Sequence, residues 1–164
     1  MVGAGTWEGG VRESAFAYWP GVIAAGSRSG EIVSSLDLFP TLSTLAGVAL
    51  PRDRVYDGKD MSDILFKTTG RSQHVVLFLY NQDPNMCKDG GPSAARMGRW
   101  KAHWATGPGL GGCSQPTCRK LEYPVDHPLL FDVVADPSEA YPLHGMQNET
   151  ASPNAGAHLH CATE

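Results

Sequence analysis

The stretch Thr6-Trp7-Glu8-Gly9-Gly10-Val11-Arg12-Glu13-Ser14 most constrains what this chain can fold into. Paired glycines let a backbone turn tightly or approach another group closely. Glu8 and Arg12 bracket them with opposite charges and read as a structural ion pair holding the turn. The apolar run Ala15-Phe16-Ala17-Tyr18-Trp19 follows, so residues 11–19 are expected to form a buried strand ending at Pro20-Gly21. A buried strand needs neighbours. Few residues stand ahead of this one, so the chain reads as the back part of something larger.

Bulk properties narrow the class. With 41% apolar and 18% charged residues, the composition is that of a folded protein. The net charge of -4 and the lack of a long basic run give no support to a nucleic-acid partner. The one basic cluster, Arg96, Arg99 and Lys101 with Trp100 and Trp104 interleaved, reads as a strand with one solvated and one packed face. No stretch reaches the roughly 20 apolar residues that span a bilayer, so no membrane partner is expected. Met1 to Gly5 lack the basic region and apolar core of a secretory signal, which taken literally leaves the chain in the cytosol. The four cysteines and the sequon at Asn148-Glu149-Thr150 lean the other way, towards a secreted, glycosylated origin.

The clearest helix signal runs from Ser34 to Gly47. Asp37 is the expected N-cap, Pro40 falls in the first turn, and Phe39, Leu42, Leu45 and Ala46 form an apolar face. Gly47 is the expected stop. Asp60 or Ser62 can cap a short helix through Leu65-Phe66. Beyond residue 70 the signals become β. Val75 to Tyr80 is a strand apolar enough for burial on both faces, and Ala94–Met97 with Trp100–Ala105 form a hairpin turning at Gly98-Arg99. Residues 106–127 read as a long loop, and Leu129–Val134 as a further strand before the turn Asp136-Pro137-Ser138. Cys113 and Cys118 can bridge each other. A zinc site with His158, His160 and Cys161 is the competing, weaker reading.

Several separated segments resemble the sulfatase family in order, closest to its arylsulfatase A-like group. They are Trp7-Glu8-Gly9-Gly10-Val11-Arg12, Trp19-Pro20-Gly21, Ser35 to Leu42, Leu45-Ala46-Gly47, Asp57-Gly58, Lys101-Ala102-His103-Trp104, Pro128 to Asp132 and Asp136-Pro137-Ser138-Glu139. The resemblance implies a truncated α/β, alkaline phosphatase-like fold. Residues 1–70 would be the end of the large mixed-sheet catalytic domain and 71–143 a small antiparallel-sheet domain. Residues 144–164 would be a disordered or divergent tail.

It also implies a parent reaction: sulfate-ester hydrolysis by a formylglycine made within a Cys/Ser-x-Pro-x-Arg motif, with a bound calcium ion. None of the four cysteines is followed by x-Pro-x-Arg. The lysine that contacts sulfate in the family would stand at the position of Gly3. In relatives a cysteine of the 106–127 loop pairs with one just ahead of the Glu-Gly-Gly motif. No catalytic residue or metal ligand is therefore assigned to this chain. His103 is the one substrate-binding candidate, against a bland reading as a histidine satisfied between domains. Glu8, Gly9, Gly10, Arg12 and Asp37 are assigned structural roles. The expected partners are a sulfated small molecule or glycan in the parent family, and a sulfatase chain on which this one docks. The expected location of the parent is the lysosome or the exterior.

Overall fold

The computed structural model describes residues 5–67, 69–80, 91–106 and 121–143. The chain divides into two compact units, Ser14–Val75 and a discontinuous unit of Met1–Glu13 with Val76–Glu164. The segment up to Glu13, grouped by sequence with residues 1–70, thus packs with the C-terminal sheet. Cys87, Cys113, Cys118, Cys161, Asn148, Gly3 and the 144–164 tail lie outside the described residues.

The discontinuous unit is built on a four-stranded antiparallel sheet in the order β1-β2-β3-β6, from Leu77–Leu79, Ala94–Met97, Trp100–His103 and Leu129–Asp132. The hairpin turns at Gly98, whose φ of 57° lies in the left-handed region that glycine enters without strain. A second ladder pairs β4 (Ala105–Thr106) with β5 (Leu121–Glu122), inside the stretch expected to be a loop. Directly opposed residues share a sheet face. Two rows therefore line the inner face: Leu79, Ala94, His103 and Leu129, and beside them Leu77, Arg96, Lys101 and Phe131. The buried apolar cluster is small, Leu129, Phe131 and Val133, with Trp7 and Tyr123 packed against it.

Two sequence expectations fail for β-structure. Residues 11–19 form no strand. Glu8–Val11 is a single helical turn (α1), and the chain beyond it is exposed, with Phe16 at 96% and Tyr18 at 83%. A strand exists only through a partner ladder, and none stands beside this segment among the described residues. Likewise β1 is an edge strand, with Phe78 half out of the protein, and not one buried on both faces.

In the unit Ser14–Val75 the helix signal yields a 3-10 turn, Ser35–Asp37, leading into α2, Leu38–Leu45. Ser34, not Asp37, is the N-cap. Its hydroxyl accepts from the Leu36 N–H while the Asp37 carboxylate reaches back to the Ser34 N–H at 2.7 Å. Gly47, with φ 67°, ends the helix by donating to Thr44, and Val48 donates to Ser43. The buried α2 side chains are Pro40 and Thr41, whereas Leu38, Phe39, Leu42 and Leu45 are exposed. α3, Ser62–Phe66, is preceded by Asp60, whose carboxylate accepts from the Ser62 N–H at 2.9 Å. Trp19 meets Phe66 edge-on at 5.9 Å and Phe39 lies 5.6 Å from Tyr56.

The turn pair Asp57-Gly58 presses against the 3-10 turn. A Cβ on Gly58 would lie 2.1 Å from the Leu36 carbonyl oxygen, whereas one on Gly9 would meet nothing within 4 Å. Gly58→Ala should therefore destabilise by about 2–3 kcal/mol through backbone displacement. Gly9→Ala should be neutral or stabilise by up to about 1 kcal/mol. Urea melts of the two variants check the contrast, and equal losses would contradict it.

Candidate functional site

The β3 hairpin places two cations side by side. Arg96 and Lys101 are direct cross-strand partners, and like charges in that relation repel. Lys101 is moreover fully buried. Such an arrangement requires carboxylates, and the sheet face supplies none. Glu8 does so from the other end of the chain. Its Oε1 accepts from Lys101 Nζ at 2.9 Å and its Oε2 from Arg96 at 3.2 Å. Glu8 is 3% exposed, so the bridge sits almost wholly out of water.

Glu139 is the second carboxylate. It follows the turn that Asp136-Pro137-Ser138 predicts, and its backbone takes φ 53°, a left-handed value uncommon outside glycine. That conformation turns the side chain inward. Oε1 lies 3.1 Å from Lys101 Nζ and 2.7 Å from His103 Nε2, while Oε2 accepts from the Glu8 backbone N–H. The hydroxyl of Thr6 sits 3.2 Å from His103 Nδ1. Trp7 lies against the imidazole at 4.6 Å with the rings tilted by 33°, and meets Phe131 edge-on at 5.8 Å. The Trp7 indole N–H is buried and meets no acceptor among the described residues.

The charges close. Two carboxylates face two cations, leaving no charge for His103 to balance. Burial pushes the imidazole's pKa below its ordinary value, and Lys101 adds to this, while Glu139 and Glu8 pull it back up only in part. A neutral ring donating from Nε2 to Glu139 and accepting at Nδ1 from the Thr6 hydroxyl satisfies every polar atom in contact with it. Burial raises the Glu139 carboxyl, but hydrogen bonds from His103 and the Glu8 N–H, with Lys101 nearby, outweigh it and hold it below the usual range.

The structure thus places His103 inside the discontinuous unit with no exposed surface and both ring nitrogens engaged. Arg12 does not partner Glu8. Both Glu8 oxygens are taken by Lys101 and Arg96, and Arg12, the C-cap of α1 with extended backbone, is exposed. Gly9 and Gly10 are exposed in that turn. Asp37 anchors the other unit. Besides Ser34, it accepts from the Lys59 N–H at 2.7 Å and from His74 Nε2 at 2.8 Å, and its own carbonyl accepts from the Thr41 hydroxyl at 2.6 Å.

Sequence reasoning missed Glu139, Thr6, Arg96, Lys101 and His74 as members of these clusters. The period-2 pairing of Lys101 with His103 on one strand face was the available signal. Nothing local marks Glu139 as buried.

The calcium implied by family resemblance finds no fit among the described carboxylates. Glu8 and Glu139 already face an ammonium, and a dication beside Lys101 would meet strong repulsion. Asp37 is filled by backbone donors and His74. Among the described residues, no group of three His, Cys, Asp or Glu is placed to hold a metal.

Two outcomes follow from the charge balance. Glu8→Gln keeps the shape but leaves Lys101 and Arg96 under-compensated, and should destabilise by about 3–5 kcal/mol in urea melts at neutral pH. Adding Lys101→Met should recover at least about 1 kcal/mol of that as coupling. A loss under about 0.5 kcal/mol for the single variant would show the bridge to be unimportant. The pH dependence has a definite sign. His103 has a folded pKa below its unfolded one, so the unfolded chain takes up the proton first. Stability falls as pH drops below about 6.5, by up to about 1.4 kcal/mol per pH unit. The depressed Glu139 carboxyl adds a further loss as pH falls below about 4.5, where the unfolded chain again takes up the proton first. His103→Gln should flatten the loss between pH 7 and 5, and an unchanged slope would reject the assignment.

Comparison with known proteins places the chain. Residues 72–160 match the family model described as the C-terminal region of aryl-sulfatase. Bovine (Bos taurus) arylsulfatase A is 43% identical over 150 residues, covering 89% of this chain and 29% of the relative. Rat (Rattus norvegicus) steryl-sulfatase is 40% identical over 148 residues, covering 85% and 26%. The crystal structure of a sulfatase from Pseudoalteromonas sp. superposes with a TM-score of 0.72 at 26% identity, covering 86% of this chain and 27% of that one. The chain spans between a quarter and a third of the length of these relatives. It carries the α/β, alkaline phosphatase-like fold only as that C-terminal portion, with the small antiparallel sheet described above. By these matches the chain belongs to the sulfatase family, as a C-terminal region of the arylsulfatase type.

Proposed function

We propose that this chain is the C-terminal part of an arylsulfatase A-like sulfuric ester hydrolase, supplying scaffold and no reacting group. The observation that carries the reading is the pairing of family membership with a sequence in which no cysteine or serine begins a Cys/Ser-x-Pro-x-Arg motif. A sulfatase nucleophile cannot be made without it. The parent reaction, sulfate-ester hydrolysis by formylglycine with calcium, would then need residues that this sequence does not contain. The substrate of the parent is a sulfated small molecule or glycan, and its setting is the lysosome or the exterior. The Asn148 sequon supports that setting.

His103 enters this reading as a positioning group and not as a sulfate ligand. Both ring nitrogens are held by Glu139 and Thr6, so its work is to fix the segment of Thr6 and Trp7 against β3.

A second reading is favoured by one observation. The α2 face of Leu38, Phe39, Leu42 and Leu45 is exposed, each residue by 40% or more. An apolar stripe of that kind fits a non-catalytic module that docks on a sulfatase chain or on sulfated glycans. Among the described residues no helix is long and apolar enough to cross a membrane.

Two measurements separate the readings. The purified chain, incubated with an aryl sulfate and calcium, should show no turnover above blank, and clear turnover would sink the scaffold reading. Light scattering after size exclusion should show self-association or dye-binding apolar surface if α2 is a docking face. A monomer that binds no dye would remove the second reading.

A further inference from the structure

We propose that the inner face of the β1-β2-β3-β6 sheet is a peptide-binding site whose ligand is the segment Thr6–Glu8 of this chain, read as hydroxyl, indole and carboxylate in succession. The inference rests on the geometry of the cluster and holds whether or not the chain belongs to an active hydrolase.

The sheet is incomplete without this segment. It sets Arg96 beside Lys101 on a face that becomes buried, and Lys101 reaches 0% exposure. The only compensation from residues 76–143 that reaches Lys101 among the described contacts is Glu139, which also serves His103. Glu8 supplies the second carboxylate, one oxygen to each cation.

Each ligand residue is read by a different group. The Thr6 hydroxyl goes to His103 Nδ1, the Trp7 indole to the faces of His103 and Phe131, and the Glu8 carboxylate to Lys101 and Arg96. Glu139 reads the Glu8 backbone N–H, which fixes the register of the segment independently of its side chains. Beyond Glu8 the segment leaves the site, since residues 9–20 are exposed.

The recognised unit is therefore short and sequence-specific, and it is joined to the sheet through 62 residues that form the other unit, Ser14–Val75. Retention does not require that covalent path. Buried, paired charges and a packed indole hold the segment, as they would hold a peptide supplied separately.

The test uses the full chain with a specific protease site inserted between Glu13 and Ser14, both exposed. After cleavage, the fragment ending at Glu13 should co-elute with the remainder on gel filtration and be found in that peak by mass spectrometry. A synthetic peptide of residues 5–13 in excess should replace it. The same peptide with Glu8→Gln should need about a hundredfold higher concentration. Loss of the fragment on cleavage, whatever the state of the remainder, would overturn the proposal. So would equal competition by the two peptides.

Discussion

The C-terminal sheet depends on a single carboxylate that its own strands do not carry. Hairpin register makes Arg96 and Lys101 neighbours, and packing takes Lys101 out of water. An ammonium buried without a counter-charge would lose several kcal/mol of hydration. Glu8 offsets that loss by bridging the pair, and Glu139 completes the balance. The other features of this unit follow. Glu139 accepts a left-handed backbone to reach inward. Burial, with Lys101 beside it, holds the His103 imidazole below its ordinary pKa against the pull of Glu139 and Glu8. The first described residues belong to a sheet that begins more than sixty positions later.

The unit Ser14–Val75 repeats the logic with one carboxylate. Asp37 gathers the Ser34 and Lys59 backbone N–H groups and the His74 ring, so three separate pieces of chain meet on a side chain 1% exposed. Gly58 is required because the loop that donates to Asp37 lies against the Leu36 carbonyl. The apolar cluster of the sheet unit is small, the described residues of Ser14–Val75 show none, and both units are fastened by polar clusters. Such clusters specify one arrangement strongly, because each lost partner leaves a buried group unpaired.

What the sequence made legible was local. The α2 helix, its glycine stop, the 94–103 hairpin and the 129–132 strand all announce themselves through periodicity and turn chemistry within a few residues. So did the family, through its ordered motifs. What it hid was long-range. Asp37 looked like an N-cap because Asp before a helix usually is one, whereas its true partners lie 22 and 37 positions away. Glu8 looked paired with Arg12 because opposite charges bracket the two glycines, whereas Arg12 lies past the end of α1 with extended backbone. The expected strand over residues 11–19 failed for a related reason. Its apolar pattern is real, but a ladder needs a partner, and pattern alone does not say where the partner is.

The closed charge balance bears on what this cluster can do. A reacting group must come within hydrogen-bond reach of a substrate, and Lys101 and His103 have no exposed surface while Glu8 is 3% exposed. Here the carboxylates of Glu8 and Glu139 are shared between Lys101 and Arg96, the imidazole of His103 has both nitrogens engaged, and the whole lies behind Trp7 and Phe131. The arrangement is suited to holding a chain segment rigidly and unsuited to turning over a substrate. What the cluster does by its geometry is fix the segment around Glu8 against the sheet.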